Sequence, residues 1–244
     1  MNKIFASPKE LSDYILTLDN VILVTHERPD GDAIGSAFAL QKALLNLGKE
    51  ADIYLAETLP ERYVSLSNTR TFIAKPKDNF DYNHCIALDC GNYSRLALFD
   101  KEIKNKIPVL NIDHHPDNEL FGSSNFVNPK ACATAEIIFD IISSDQKWLI
   151  DGDLANFLLI GIMLDTGGLR FDNTNAGVLR KTASLIDLGA DYLKIIKDMY
   201  FAKPLAMMLL ETDSCLNHMQ TYFDGRFVYI HLSEELLDKY GIKY

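Results

Sequence analysis

Short apolar runs in this chain repeatedly end on a carboxylate or an imidazole. Val109-Leu110-Asn111-Ile112 runs into Asp113-His114-His115, and Val21-Ile22-Leu23-Val24 runs into THERPDGD at 25–32. ALDCG at 87–91 carries Asp89, and MLDTGG at 163–168 carries Asp165. A run such as 21–24, with no polar alternation, reads as a strand buried on both faces, the signature of a parallel sheet covered by helices on either side. In such sheets ligands bind just beyond the carboxyl ends of the strands, which is where these polar side chains fall.

The rest of the chain alternates accordingly. Helices are expected near 8–18 and 132–143 and from about Asp32 to Leu47, the last with Ala37, Leu40, Leu44 and Leu47 on its apolar face and Gly48 closing it. Strands are expected at 21–24 and 53–55 and near 84–89, 108–112 and 125–128. The pattern predicts an α/β fold with a doubly wound, mainly parallel five-stranded sheet. Asp165 arrives differently, because Leu154, Phe157, Leu158, Gly161, Ile162 and Asp165 recur at helical spacing and form a stripe whose last member is the carboxylate. Gly167 and Gly168 are expected to allow a tight exit and a close approach to the site. Neither GxGxxG nor GxxxxGK[ST] occurs, which removes the main support for dinucleotide or P-loop chemistry.

Four carboxylates, Asp30, Asp32, Asp89 and Asp165, would repel one another in a shared cleft unless cations balanced them. Two divalent ions about 3.5 to 4 Å apart need a bridging carboxylate and oxygen or imidazole ligands to complete each shell. His26 and His114 supply neutral nitrogen, which suits manganese, iron, cobalt or zinc better than calcium.

These residues resemble the four motifs of the DHH phosphoesterase superfamily, in the family's order, over residues about 20 to 190. VTHERPDGDAIGS at 24–36, ALDCGNYSRL at 87–96, NIDHHPDN at 111–118 and DTGGLRFDNTN at 165–175 are most similar to the nanoRNase/pAp phosphatase branch. The resemblance implies that His26, Asp30 and Asp89 hold one metal ion and Asp32, Asp89, His114 and Asp165 a second, with Asp89 as the bridge; the mixed Asp/His set makes manganese the expected ion at both. It further implies that His115 contacts the scissile phosphate, for phosphate binding or proton transfer, and that Asp113 orients a neighbouring imidazole. Arg170 is a candidate for substrate phosphate, with Arg180 and Lys181 behind it. The implied activity is hydrolysis of short oligoribonucleotides or of the 3′-phosphate of adenosine 3′,5′-bisphosphate. The alternatives are a cyclic dinucleotide phosphodiesterase or an inorganic pyrophosphatase on the same metal core, and an impaired member that only binds metal or nucleotide. PDGDAIGS in the first motif, where pyrophosphatases resemble NPDTDS, disfavours inorganic pyrophosphate.

Charge narrows the partners. With 24 basic against 34 acidic residues the chain has a formal charge of −10, which disfavours long duplex nucleic acid, whose binding rests on many Lys and Arg contacts to phosphate. Short RNA or small phosphorylated nucleotides fit better. The longest apolar stretch, 154–164, contains Asn156 and is too short to span a bilayer. No membrane partner and a cytoplasmic location are therefore expected. The four cysteines form no CxxC pair and read as reduced, packed thiols, with Cys85 and Cys90 on opposite faces of a strand. The oligomeric state is open, a homodimer being one arrangement.

Beyond Gly189 the composition changes. The expectation is a DHH phosphoesterase catalytic domain over 1–188, a helical linker over 189–204, and over 205–244 the start of a second α/β domain, the superfamily's substrate domain. Relatives carry a Gly-Gly-Gly-His segment there that this sequence lacks, so that domain is expected to be incomplete. His218 and His231 match no motif and read as surface or packing residues.

Overall fold

The computed structural model describes residues 2–55, 63, 72–73, 82–96 and 107–242. They divide into two compact units, residues 1–195 and 196–244.

The first unit is built on a parallel sheet. Its strands are β1 (Lys3–Ile4), β2 (Val21–Val24), β3 (Ala51–Tyr54), β4 (Phe72–Ile73), β5 (His84–Leu88), β6 (Val109–Asp113) and β7 (Ser124–Val127), in the order β1-β7-β6-β5-β2-β3-β4. Every pairing among them is parallel. The expected fold class holds, but with seven strands among the described residues where the sequence pattern predicts five. The two additions, β1 and β4, are two-residue pieces at opposite edges of the sheet, too short to leave a hydrophobic period.

The chain runs outward from β2 through β3 and β4, then returns to place β5 on the other side of β2. This reversal makes β2/β5 the switch point at which the carboxyl ends of a doubly wound sheet open into a crevice. All four residues of β2 are buried, because Ile22 and Val24 join an apolar cluster with Tyr54, Tyr82, Cys85, Ala87, Cys90, Leu96 and Val109 while Val21 and Leu23 point to the other face.

Among the described residues five helices complete the unit's framework: α1 (Pro8–Thr17), α2 (Gly31–Asn46), α3 (Thr134–Ser143), α4 (Gly152–Asp165) and α5 (Ala176–Asp187). A short helix α6 (Tyr192–Ile196) follows. α2 packs against both α3 and α4, so it is buried nearly all round in its first three turns. Backbone contact there depends on glycine. A Cβ on Gly35 would stand 2.5 Å from the Phe157 carbonyl oxygen, and one on Gly161 would stand 2.5 Å from the Ala135 Cβ and 2.8 Å from Asp32 Oδ1.

The second unit contains α7 (Leu205–Asn217), a hairpin of β8 (Met219–Tyr222) and β9 (Phe227–Ile230), and α8 (Glu234–Lys239). Asp213 on α7 accepts from Lys239 Nζ and Tyr240 Oη, each at 2.8 Å, and so ties α7 to the end of α8. His218 and His231 are exposed, as expected. Among the described residues no helix is long and apolar enough to cross a membrane.

Candidate metal centre

The four motifs meet beyond the carboxyl ends of β2, β5 and β6, at the switch point. After β2, Asp30 caps α2: its Oδ1 accepts from the Asp32 and Ala33 amides at 3.0 and 3.1 Å. Capping is the ordinary duty of an aspartate in that position, and here it engages one carboxylate oxygen and leaves the other. Asp32 follows on the first turn of α2 and is fully buried.

Asp89 comes directly after β5 in the left-handed region, with φ 56°. That conformation costs a non-glycine residue roughly 1 to 2 kcal/mol, least for Asp and Asn. The Asp89 amide still donates to the Ile112 carbonyl at 3.0 Å, so the turn is held while the carboxylate swings inward. The same turn corrects the expectation for the cysteines. The strand ends at Leu88, and Cys90 falls into the same apolar cluster as Cys85 rather than on the opposite face.

His114 and His115 leave the end of β6. His114 Nε2 lies 3.5 Å from Asp165 Oδ2, 3.6 Å from Asp89 Oδ1 and 3.9 Å from Asp32 Oδ2. His26 Nε2 lies 3.8 Å from Asp89 Oδ2. Asp165 is the last residue of α4, as the helical stripe predicts. Among the described residues three groups of side chains have donor atoms within 4.8 Å of one another and could hold a metal ion: His26, Asp30 and Asp89; Asp32, His114 and Asp165; and Asp89, His114 and His115. Asp89 belongs to two of them. All six residues expected as ligands are brought together.

Electrostatics favour a cation. Burial pushes the Asp32 carboxyl well above its ordinary range, and the charges of Asp89 and Asp165 push it further. Burial likewise raises Asp89, reinforced by Asp30, Asp113 and Asp165, and it raises Asp165. Buried carboxylates crowded in this way cannot all ionise without compensating positive charge. Hard oxygen and imidazole donors with no thiol among them fit divalent ions of the manganese to zinc series. The nearby thiol points elsewhere, since Cys90 Sγ donates to the Asn92 carbonyl at 3.1 Å.

His115 has a different attachment. Its Nδ1 is 2.7 Å from Asp113 Oδ1, and Asp113 Oδ2 accepts from Asn118 Nδ2 at 2.6 Å. The hydrogen bond to Asp113 raises His115 above its ordinary value. Burial would raise Asp113, but hydrogen bonds from His115 and Asn118 outweigh it and hold the carboxyl below the usual range. Asn118 also reaches the Cys90 carbonyl and Asn111 Oδ1, at 3.2 and 2.8 Å. Asn111 and Asn118 both stand inside NIDHHPDN, yet no spacing rule marks an asparagine as the brace beneath a histidine.

The remaining candidates are less central. Arg170 is exposed, and its Nε donates to the Gly167 carbonyl at 2.5 Å. Lys181 lies 2.7 Å from both Glu136 and Asp140 and is held by them. Gly167 and Gly168 adopt φ 58° and 74°, which provides the tight exit. The close approach at Gly167, however, is to the Phe171 ring, 2.4 Å from where a Cβ would stand.

Sequence reading missed the N-terminus of α3. Asp32 Oδ2 accepts from the Thr134 amide at 2.6 Å and Oδ1 from the Ala135 amide at 2.9 Å, while Thr134 Oγ1 donates to Asp89 Oδ1 at 3.1 Å. The residue at the cap position of α3, Ala133, has no side chain for that duty. An uncapped alanine before a periodic run was the available signal.

A doubly wound parallel sheet with a carboxylate and imidazole cluster at its switch point defines the class, and comparison with known proteins gives the family. Residues 20–162 match the DHH family, N-terminal domain, and the chain belongs to that family. It is 33% identical over 217 residues to the bifunctional oligoribonuclease and PAP phosphatase NrnA of Thermus thermophilus, a match covering 88% of this chain and 64% of that protein. It is 24% identical to the protein of the same name from Bacillus subtilis, over 95% of this chain and 72% of the relative. The chain thus spans about two thirds of the length of these relatives. An exopolyphosphatase-related protein from Bacteroides fragilis superposes with a TM-score of 0.84 at 21% identity, over 97% of this chain and 72% of that one. That likeness is one of fold.

Proposed function

We propose that this chain is a metal-dependent phosphoesterase acting in the cytoplasm on short oligoribonucleotides from an end, in the 3′ to 5′ direction, and on the 3′-phosphate of adenosine 3′,5′-bisphosphate. The observation that carries this reading is the convergence of His26, Asp30, Asp32, Asp89, His114 and Asp165 into overlapping donor groups. Relatives named for oligoribonuclease and PAP phosphatase activity support the substrate class. Residues 1–188 would form the catalytic domain, 189–204 the linker and 205–244 part of the substrate-binding domain.

His26, Asp30 and Asp89 would hold one manganese ion, and Asp32, Asp89, His114 and Asp165 the other. When bound, these ions supply the positive charge that acidifies a water and offsets the charge developing on phosphate. The chain's own groups do the rest. Asp113 holds the proton on His115 Nδ1 through their 2.7 Å contact, leaving His115 Nε2 to meet a phosphoryl or leaving oxygen and to donate a proton when the ring is charged. Asn118 keeps Asp113 in place.

The test combines elemental analysis with turnover on di- to pentaribonucleotides, adenosine 3′,5′-bisphosphate, a cyclic dinucleotide and pyrophosphate. Metal uptake and preference for the first two are expected, with turnover abolished by chelation. Asp89→Ala should lose more metal than Asp30→Ala, because Asp89 belongs to two donor groups. His115→Ala should keep both ions and lose roughly two to four orders of magnitude in turnover. Unchanged hydrolysis after confirmed removal of bound metal would sink the reading.

A further inference from the structure

Arg95 sits against the metal-ligand cluster and takes no part in the chemistry assigned above. Its Nη2 lies 3.4 Å from His26 Nδ1. That contact is not a hydrogen bond. His26 Nδ1 is also 2.6 Å from the Glu27 carbonyl oxygen, and a carbonyl only accepts, so Nδ1 carries the proton and presents a donor to a guanidinium that itself only donates.

The position is pinned from the backbone side. Asn92 Oδ1 accepts from the Arg95 amide at 3.1 Å and from Ser94 Oγ at 2.7 Å, fixing the short turn Tyr93–Arg95. The Arg95 carbonyl in turn accepts from the Glu27 amide at 2.9 Å. The turn after β5 is thereby stitched to the loop that carries His26 and Asp30.

An arginine with a carboxylate in reach folds onto it, since a bidentate pair is its best local partner. Among the described residues, no carboxylate lies within ion-pair distance of Arg95. An exposed guanidinium on an anchored backbone, beside a histidine of the candidate metal cluster and without a carboxylate partner, is a site for an external anion.

We propose that Arg95 is a phosphate-binding residue, its guanidinium taking two non-bridging oxygens of a substrate phosphate beside His26 and Asp30. The assignment rests on the metal-dependent reading above. It differs from the role given to His115, since Arg95 binds and orients the anion and moves no proton.

The probe is inorganic phosphate, titrated calorimetrically into manganese-loaded wild type, Arg95→Ala and Arg95→Lys, each checked for metal content and thermal stability. Arg95→Ala is expected to keep its metal and fold and to bind phosphate roughly ten- to hundredfold more weakly, the scale of a charge-assisted bidentate contact. Arg95→Lys should recover part of the loss, because it restores charge without the fork. On an oligoribonucleotide the Ala variant should raise KM more than it lowers kcat. Unchanged phosphate affinity in loaded Arg95→Ala overturns the assignment alone. Loss of metal from that variant overturns it too, by making Arg95 a support for His26. A wild type that takes up no divalent ion is seen first by elemental analysis, and it overturns the metal reading together with this one.

Discussion

Asp32 and Thr134 are 102 positions apart, yet the Asp32 carboxylate accepts from the Thr134 amide at 2.6 Å and from the next amide, that of Ala135, at 2.9 Å. A side chain on the first turn of α2 therefore caps α3, whose own cap position is the alanine Ala133. Asp32→Asn and Asp32→Ala both remove the buried charge and its repulsion, but only Asn retains an acceptor. In the metal-free protein Asp32→Asn should be the more stable of the two by about 1 kcal/mol, the usual worth of a cap. Urea unfolding of the pair measures this, and equal midpoints would show that the cap carries no stability.

Thr134 Oγ1 bonds Asp89 Oδ1 at 3.1 Å, with both residues buried. Thr134→Val keeps the shape and deletes the hydroxyl, and it should weaken manganese binding roughly ten- to hundredfold, as loss of a brace behind a ligand does. Thr134→Ser should bind like wild type. Calorimetric titration with manganese separates the two, and a Val variant of undiminished affinity would remove Thr134 from the site.

Gly161 lies where α4 crosses α2 and α3. Alanine gains about 1 kcal/mol over glycine in a helix interior, which would make Gly161→Ala stabilising on an open surface. Here the added methyl would stand 2.5 Å from the Ala135 Cβ and 2.8 Å from Asp32 Oδ1, and overpacking of that kind costs about 1 to 3 kcal/mol. The second effect wins, so the variant should melt lower and bind metal more weakly. A rise in melting temperature would contradict the packing argument.

Glu136 sits between Lys181 Nζ and the Cys132 amide, 2.7 Å from each. Burial would raise its carboxyl, but these hydrogen bonds and the lysine charge hold it below the ordinary 4.5. A carboxyl depressed in the folded state contributes stability that is present above the unfolded value and lost as pH falls through the folded one. Wild type should therefore exceed Glu136→Gln in stability at neutral pH, and the gap should close as pH falls below about 4.5. Melting curves between pH 7 and pH 3 give the difference directly, and a gap constant across that range would refute the linkage.

Much of the fold was legible along the chain. The all-apolar run 21–24 and the motifs ending in Asp89 and Asp113-His114-His115 specify buried parallel strands with polar ends, because strand period and burial are local properties. The helical stripe from Leu154 to Asp165 delivered a carboxylate at the last residue of α4 for the same reason. The edge strands β1 and β4 were not legible, since two residues carry no period and pair only because a neighbour offers an edge. The placement of Cys90 depended on one positive φ at Asp89, which no apolar pattern encodes.

The sequence by itself determined that carboxylate and imidazole side chains stand just beyond strand or helix ends. The tertiary structure alone decided what each one touches. The crossover that puts β5 against β2 brings Asp89 to His26, and the packing of α3 onto α2 aims two amides at Asp32. The donor-to-donor contact that leaves Arg95 open depends on how the loop after β2 meets the turn after β5. Hydrogen bonds between elements have partners far apart in the chain, so neither residue carries a local sign of the other, whereas period and burial are written in every few residues of the strand or helix that bears them.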